Sequence, residues 1–286
     1  MKVRRLSDPA DFLDEAAQLL LADEARHNLI LGLAGTLRDR PGYYPDFRLW
    51  LVEDGRAVGA ALQTPPFNLV LAQPAVPEAA SVLADAIADD GLDLPGVVAA
   101  TPEADDFADA WESRRDVQRT VRMASRIYRL AEVLPPASVS GRARVATTAD
   151  RQLLVEWLEA FADEVLPHGP SPAHDTERVV DGRLDDQRSG FLLWEDGEPV
   201  SLAGWGAPTP TGIRIGPVYT PPDRRSRGYG SAVTAAVSAD QLAAGRQFCF
   251  LYTDLANPTS NKIYVDIGYE PVCDAVDYAF EPAATP

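Results

Sequence analysis

Cysteine, histidine and positive charge are scarce in this 286-residue chain, and each scarcity removes a class of function. The two cysteines, Cys249 and Cys273, and the three histidines, His27, His168 and His174, lie far apart and match no zinc-ligand spacing, so no metal site is expected. Both cysteines stand in apolar, strand-like surroundings and read as buried thiols. Positive charge is also short: 26 Lys and Arg face 43 Asp and Glu, a formal net charge of -17. That balance repels phosphate backbones and anionic lipid, so no nucleic-acid partner is expected. Long apolar runs are missing. The candidates, Ala16 to Ala22 and Val97 to Ala100, fall well short of the roughly 18 residues of a membrane span, and no membrane partner is expected. Met1-Lys2-Val3-Arg4-Arg5 leads into Ser7-Asp8-Pro9 without the apolar core of a signal peptide, which gives a cytoplasmic location as the expectation. What remains is ordinary globular composition, 46% hydrophobic and 24% charged, in a length that allows two domains.

Pro135-Pro136, followed by Ala137-Ser138-Val139-Ser140-Gly141, interrupts every periodic pattern near the middle and reads as a linker. Domains at 1–136 and 137–286 are therefore expected. The halves resemble each other. Phe47-Arg48-Leu49-Trp50-Leu51-Val52-Glu53-Asp54-Gly55 is matched by Phe191-Leu192-Leu193-Trp194-Glu195-Asp196-Gly197, in each case a strand entering an acidic-Gly hairpin turn. An amphipathic helical stretch precedes each, Asp11 to Leu33 and Asp150 to Leu166. In the second half a hairpin from Phe191 through Ala203 and a strand at Ile213 to Tyr219 lead to a helix from Gly228 to Ala244. A buried strand at Phe248 to Tyr252, a short helix from Pro258 to Ile267 and a strand from Ala275 to Phe280 follow. This order indicates a mixed α/β domain.

Two stretches carry chemistry. Arg225-Ser226-Arg227-Gly228-Tyr229-Gly230-Ser231 stands between a strand and a helix, where two glycines allow a tight turn and free amides at a helix start face an anion. Arg224, Arg225 and Arg227 concentrate positive charge there. The plainer alternative is a Gly-rich helix entry with surface arginines. The loop lacks the Gly-Lys-Ser/Thr of a P-loop and the third glycine of a dinucleotide fingerprint. The second stretch, Asp254-Leu255-Ala256-Asn257-Pro258-Thr259-Ser260-Asn261-Lys262-Ile263-Tyr264, has Asn257 as a helix cap and places Asn257, Asn261 and Tyr264 on one helical face. Its plainer alternative is a cap followed by a half-buried tyrosine.

Together these residues resemble the GCN5-related N-acetyltransferase (GNAT) family. The family's cofactor-loop pattern is met by Arg225, Gly228 and Gly230, and its later helix by Asn257, Asn261, Tyr264 and Ile267-Gly268-Tyr269. Detailed resemblance covers about 140 to 280, and Thr253 to Val272 looks most like bacterial acetyltransferases with two tandem domains. The resemblance implies an α/β (mixed α+β) fold. It would consist of two tandem GNAT-like domains, each a mixed, mostly antiparallel sheet flanked by helices, with a splayed parallel strand pair in the second. It implies acetyl-CoA as donor, held in the gap between Ile213 to Tyr219 and Phe248 to Asp254. The backbone of Val218, Tyr219 and Thr220 would pair with the pantetheine arm, the amides of Arg225, Ser226, Arg227, Gly228, Tyr229, Gly230 and Ser231 would hold the pyrophosphate, and Asn257 and Asn261 would face the cofactor. Tyr264 would protonate the departing thiolate.

One departure matters. The family's glutamate on the first splayed strand is absent, since Gly212 to Tyr219 holds no acidic residue. Asp254 and Glu164 are the carboxylates that could act as base instead, and Asp254 is the one assigned a catalytic role. His168 and His174 fall in the stretch that shapes the family's acceptor site. Arg114, Arg115, Arg119, Arg122, Arg126 and Arg129 read as a solvated or ion-paired face, not a nucleic-acid stripe. The expected activity is acetyl transfer to the amine of a small molecule or peptide; the alternative is a non-catalytic acyl-CoA binding or sensing module. Residues Ala60 to Asp90 hold no glycine, so the first half is expected to lack a cofactor loop.

Overall fold

The computed structural model describes residues 1–165 and 176–283. His168 and His174 lie outside the described residues. The chain packs as two compact units that are not consecutive halves. The first consists of Met1–Ile127, Asp254–Ala256 and Val272–Pro286, the second of Tyr128–Thr253 and Asn257–Pro271.

In the first unit, strands β1 (Lys2–Leu6), β2 (Arg48–Glu53), β3 (Ala57–Gln63) and β4 (Leu69–Leu71) form an antiparallel run, and β5 (Gly96–Ala100) joins β4 in parallel. Strand β6 (Val117–Leu130) follows in the chain. The strand antiparallel to β5 is the last of the protein, Glu270–Pro282, with Ala275 opposite Ala100 and Tyr278 opposite Val97. Alternation along β2 serves two cores: Leu49 and Leu51 join Phe12, Leu20 and Ile30, whereas Trp50 and Val52 join Leu83, Phe107 and Trp111.

The amphipathic stretch expected as one helix over Asp11 to Leu33 is broken into α1 (Pro9–Glu15), α2 (Ala17–Leu20) and α3 (Asn28–Asp39). The break has a polar cause. His27 Nδ1 lies 2.9 Å from the Leu20 carbonyl, and the Asn28 amide donates to the Ala25 carbonyl at 2.7 Å, so side chains take over groups that a continuous helix would pair. Helices α4 (Glu78–Asp89) and α5 (Thr101–Arg114) complete the unit.

The second unit repeats the plan. Strands β7 (Arg142–Val145), β8 (Gly190–Glu195), β9 (Pro199–Gly206) and β10 (Gly212–Tyr219) are antiparallel neighbours, and β11 (Phe248–Asp254) joins β10 in parallel. Helices α6 (Arg151–Val165) and α7 (Thr176–Leu184) pack with one core; α8 (Tyr229–Ala243) and α9 (Pro258–Asp266) pack with another. The last strand of the chain, defined above, is β12. Helix α6 follows a Thr147–Asp150 capping box, and Asp150 is further bound by Arg144, which holds its carboxyl down at about 2. Two buried members of the core under α8 and α9, Tyr128 and Leu130, come from the end of β6. Each unit thus contains a strand segment from the other half of the sequence.

Five of the six arginines from Arg114 to Arg129 are ion-paired, Arg115 with Asp93 among them. Arg114 meets Asp85 and Asp89, Arg119 meets Asp109, Arg126 meets Asp274 and Arg129 meets Glu270.

Candidate active site

The second unit's parallel pair is short. Gly212, Ile213 and Arg214 lie opposite Phe248, Cys249 and Phe250, and the ladder ends there although both strands continue. Two residues later β10 bulges: its register with β9 shifts between Ile215 and Val218, and Gly216 takes φ +139°, a conformation that favours glycine. The strands therefore part toward their C-terminal ends. At the closed end they need glycine as well, because a Cβ on Gly212 would lie 2.2 Å from the Phe250 ring.

The loop after β10 leads into α8. Ser226 has φ +60° and Gly228 φ +82°, so left-handed residues flank Arg227. Among the described residues, the amides from Ser226 to Ser231 have no backbone acceptor; the first helical bond is Ala232 N–H to Gly228 C=O at 3.0 Å. Such a nest at a helix N-terminus attracts anions. The loop is held from several sides. Arg225 donates to both oxygens of Glu164, at 2.7 and 2.6 Å, and to the Thr220 carbonyl at 2.9 Å. Tyr229 OH and Ser140 Oγ both donate to Asp196, at 2.6 and 2.7 Å, and these bonds hold the Asp196 carboxyl below its ordinary range. A Cβ on Gly228 would come within 2.8 Å of Val139, whereas one on Gly230 would meet Thr220 Oγ1 at an ordinary 3.5 Å.

Glu164, one of the two carboxylates weighed as a base, is therefore engaged with Arg225. Val218 and Tyr219 lie opposite Ala203 and Leu202 of β9. Tyr219 C=O accepts from the buried Ser201 hydroxyl at 3.0 Å, and Thr220 C=O accepts from Arg225 at 2.9 Å.

On α9, Asn257 caps the helix by accepting the Ser260 N–H at 3.0 Å. Asn261 turns inward: its Nδ2 donates to the Asn257 carbonyl at 2.8 Å and its Oδ1 accepts from Tyr128 OH at 3.1 Å. Tyr264 is only 8% exposed, with its ring centroid 6.5 Å from Tyr128 and 6.0 Å from Tyr269. Its hydroxyl has no hydrogen-bond partner among the described residues, and burial pushes its pKa up to about 12. Asp254, the other carboxylate, is exposed, belongs to the first unit and accepts the Ala256 N–H at 2.8 Å. Cys249 is buried, its thiol pushed up to about 12, and Cys273 to about 11, so neither is a reactive thiolate. Among the described residues no group of His, Cys, Asp and Glu could hold a metal ion. No helix there is long and apolar enough to cross a membrane.

Sequence reasoning missed Tyr128, Ser201 and Arg183. Tyr128 belongs to the first half's strand, and its alternation with Arg129 and Leu130 was the only available signal. Arg183 stands on α7, a helix not anticipated, and donates to Gly216 C=O at 2.8 Å.

The corresponding loop of the first unit is closed. Ala72 and Ala75 donate their amides to Ala60 and Val58 carbonyls, and Gln73 N–H donates to His27 Nε2 at 3.0 Å. Pro74 and Pro77 have no N–H, and α4 begins with Glu78. His27, with Nδ1–H donating to Leu20 and Nε2 accepting, is the neutral tautomer, consistent with burial lowering its pKa.

Residues 193–276 match the family model described as FR47-like protein. No curated protein matches the chain in sequence. Solved structures share the fold over nearly all of it. A GCN5-related N-acetyltransferase from Sphaerobacter thermophilus has a TM-score of 0.65 at 16% identity, covering 99% of this chain and 96% of that one. A GCN5-related N-acetyltransferase from Kribbella flavida has a TM-score of 0.55 at 22% identity, covering 89% and 94%. A tandem GNAT protein from the clavulanic acid biosynthesis pathway has a TM-score of 0.58 at 16% identity, covering 100% of each chain. The protein thus has the mixed α/β fold of these GNAT structures, and residues 193–276 within it carry the FR47-like match.

Proposed function

We propose that the chain is an N-acetyltransferase whose second unit binds acetyl-CoA and passes the acetyl group directly to an amine of a small molecule or peptide. The observation that carries this reading is the run of uncommitted amides from Ser226 to Ser231, beside strands β10 and β11 where they part. The pyrophosphate would sit on those amides with Arg227 near it, and the pantetheine arm would follow Val218 to Thr220 into the gap. The residues fit an elongated anionic donor of this kind, since charge is met at the loop and the gap itself is lined by strand backbone. In the reaction the amine nitrogen attacks the thioester carbonyl carbon, the C–N bond forms and the C–S bond breaks. The sulfur leaves as a thiolate that Tyr264 stabilises by donation from its unpaired hydroxyl.

Binding tests the cradle. Gly228→Val combined with Gly230→Val should weaken acetyl-CoA binding at least roughly ten-fold in calorimetry, because a side chain at 228 needs a left-handed backbone and one at 230 crowds the ligand face. Unchanged affinity would remove the cradle assignment. The first unit is expected to bind no CoA, because its loop amides are already bonded and two prolines interrupt them. Catalysis is separated from mere binding by thiol release on mixing the protein, acetyl-CoA and a panel of amines: release identifies an enzyme, and binding without release identifies the acyl-CoA binding or sensing alternative.

The amine must lose a proton, and β10 supplies no carboxylate. Proton transfer through water to Asp254, or directly to solvent, meets that need. If Asp254 is the base, Asp254→Asn should lower turnover near neutral pH and recover as pH rises toward the amine pKa. A flat response across pH assigns the step to solvent.

A further inference from the structure

We propose that Arg183 is a positioning residue for the thioester-binding end of the gap, acting through the Gly216 carbonyl; this rests on the acetyl-CoA reading above. Three observations meet at one point. The bulge takes Gly216 and Pro217 out of the ladder with β9, so the Gly216 carbonyl needs another donor. Arg183 Nη1 supplies it at 2.8 Å, a charge-assisted hydrogen bond stronger than the neutral ladder hydrogen bond it replaces. The approach has been cleared by a third residue: a Cβ on Gly204 of β9 would lie 2.3 Å from Arg183 Nη1 and 2.7 Å from Gly216 O, so any side chain there would displace the contact.

The guanidinium is seated firmly. It lies 5.1 Å from the centroid of the fully buried Phe191 ring. Helix α7, which carries it, buries Val180 and is tied to the start of α6 by Arg151, which reaches Asp181 and Glu177. The bulge and the end of the β10–β11 ladder are two residues apart, at Gly216 and Arg214. Fixing the Gly216 carbonyl therefore fixes where β10 turns away from β11, and with it the width of the gap at the level of Val218. The pyrophosphate loop, ten residues further on, has its own anchors in the Arg225–Glu164 and Tyr229–Asp196 hydrogen bonds, neither of which involves this contact.

That separation gives the test. In the full-length chain, calorimetry with two probes reads the two parts of the site: 3′-phospho-ADP reads the loop alone, and acetyl-CoA reads loop and gap. Arg183→Met should weaken acetyl-CoA roughly ten-fold while leaving 3′-phospho-ADP affinity unchanged, and Arg183→Lys should recover part of the loss. Gly204→Ala reaches the same contact from the other strand, keeps the charge and should reproduce the selective loss. It also serves as the test if Arg183→Met fails to fold. Equal loss for both probes, or no loss for either, overturns the positioning role. If the wild-type chain binds neither probe, it is the acetyl-CoA reading that fails.

Discussion

Expressed alone, residues 1–136 are expected to give no cooperative thermal transition and no dispersed amide spectrum. This fragment lacks β12, so the β5 edge from Gly96 to Ala100 loses its antiparallel neighbour. The core around Trp111 loses Val276 and Tyr278. Deleting one large buried side chain costs roughly 2–5 kcal/mol, and domains are stable by only about 5–15 kcal/mol, so two such losses with an opened sheet edge consume most of the margin. Residues 137–286 are affected in the same way through the loss of Tyr128 and Leu130. Co-expression of the two fragments supplies each unit with its missing strand and should restore a soluble complex. A stable, dispersed 1–136 fragment would show that β12 is dispensable to the first unit.

The second large effect concerns chemistry. Tyr264→Phe should lower turnover by roughly 10²-fold with little change in acetyl-CoA affinity, because the ring and its contacts with Tyr128 and Tyr269 are kept and only the donor is lost. Stability should change little, since the ring packing is kept and the removed hydroxyl has no hydrogen-bond partner among the described residues. The pKa pushed up to about 12 adds a pH signature. Tyr264 stays protonated through the whole working range, so the wild-type profile should show no alkaline limb from it below about pH 11. Full transfer from a phenol near 12 to a thiolate whose thiol titrates near 8.5 is uphill by about 5 kcal/mol, so the group acts chiefly as a hydrogen-bond donor to developing negative charge. Near-normal turnover in Tyr264→Phe would end this role.

What the sequence determined by itself was local. Strand alternation, the acidic-Gly hairpins, the Asn257 cap and the spacing of Gly228 and Gly230 depend on residues a few positions apart, and the structure keeps all of them. Where local signals competed, the reading failed: the stretch from Asp11 to Leu33 has helical periodicity, but His27 and Asn28 divert backbone groups and divide it. The tertiary structure alone decided which side chains are spoken for. Glu164 and Asn261 look available in sequence and are bound to Arg225 and Tyr128, whereas the Tyr264 hydroxyl, in a helix with abundant polar neighbours, has no partner among the described residues. It also decided that β12 pairs with β5 in the first unit and that the end of β6 enters the second unit's core. Strand pairing and side-chain partnership join positions more than a hundred residues apart, and no periodicity within one segment records which distant edge or donor will complete it.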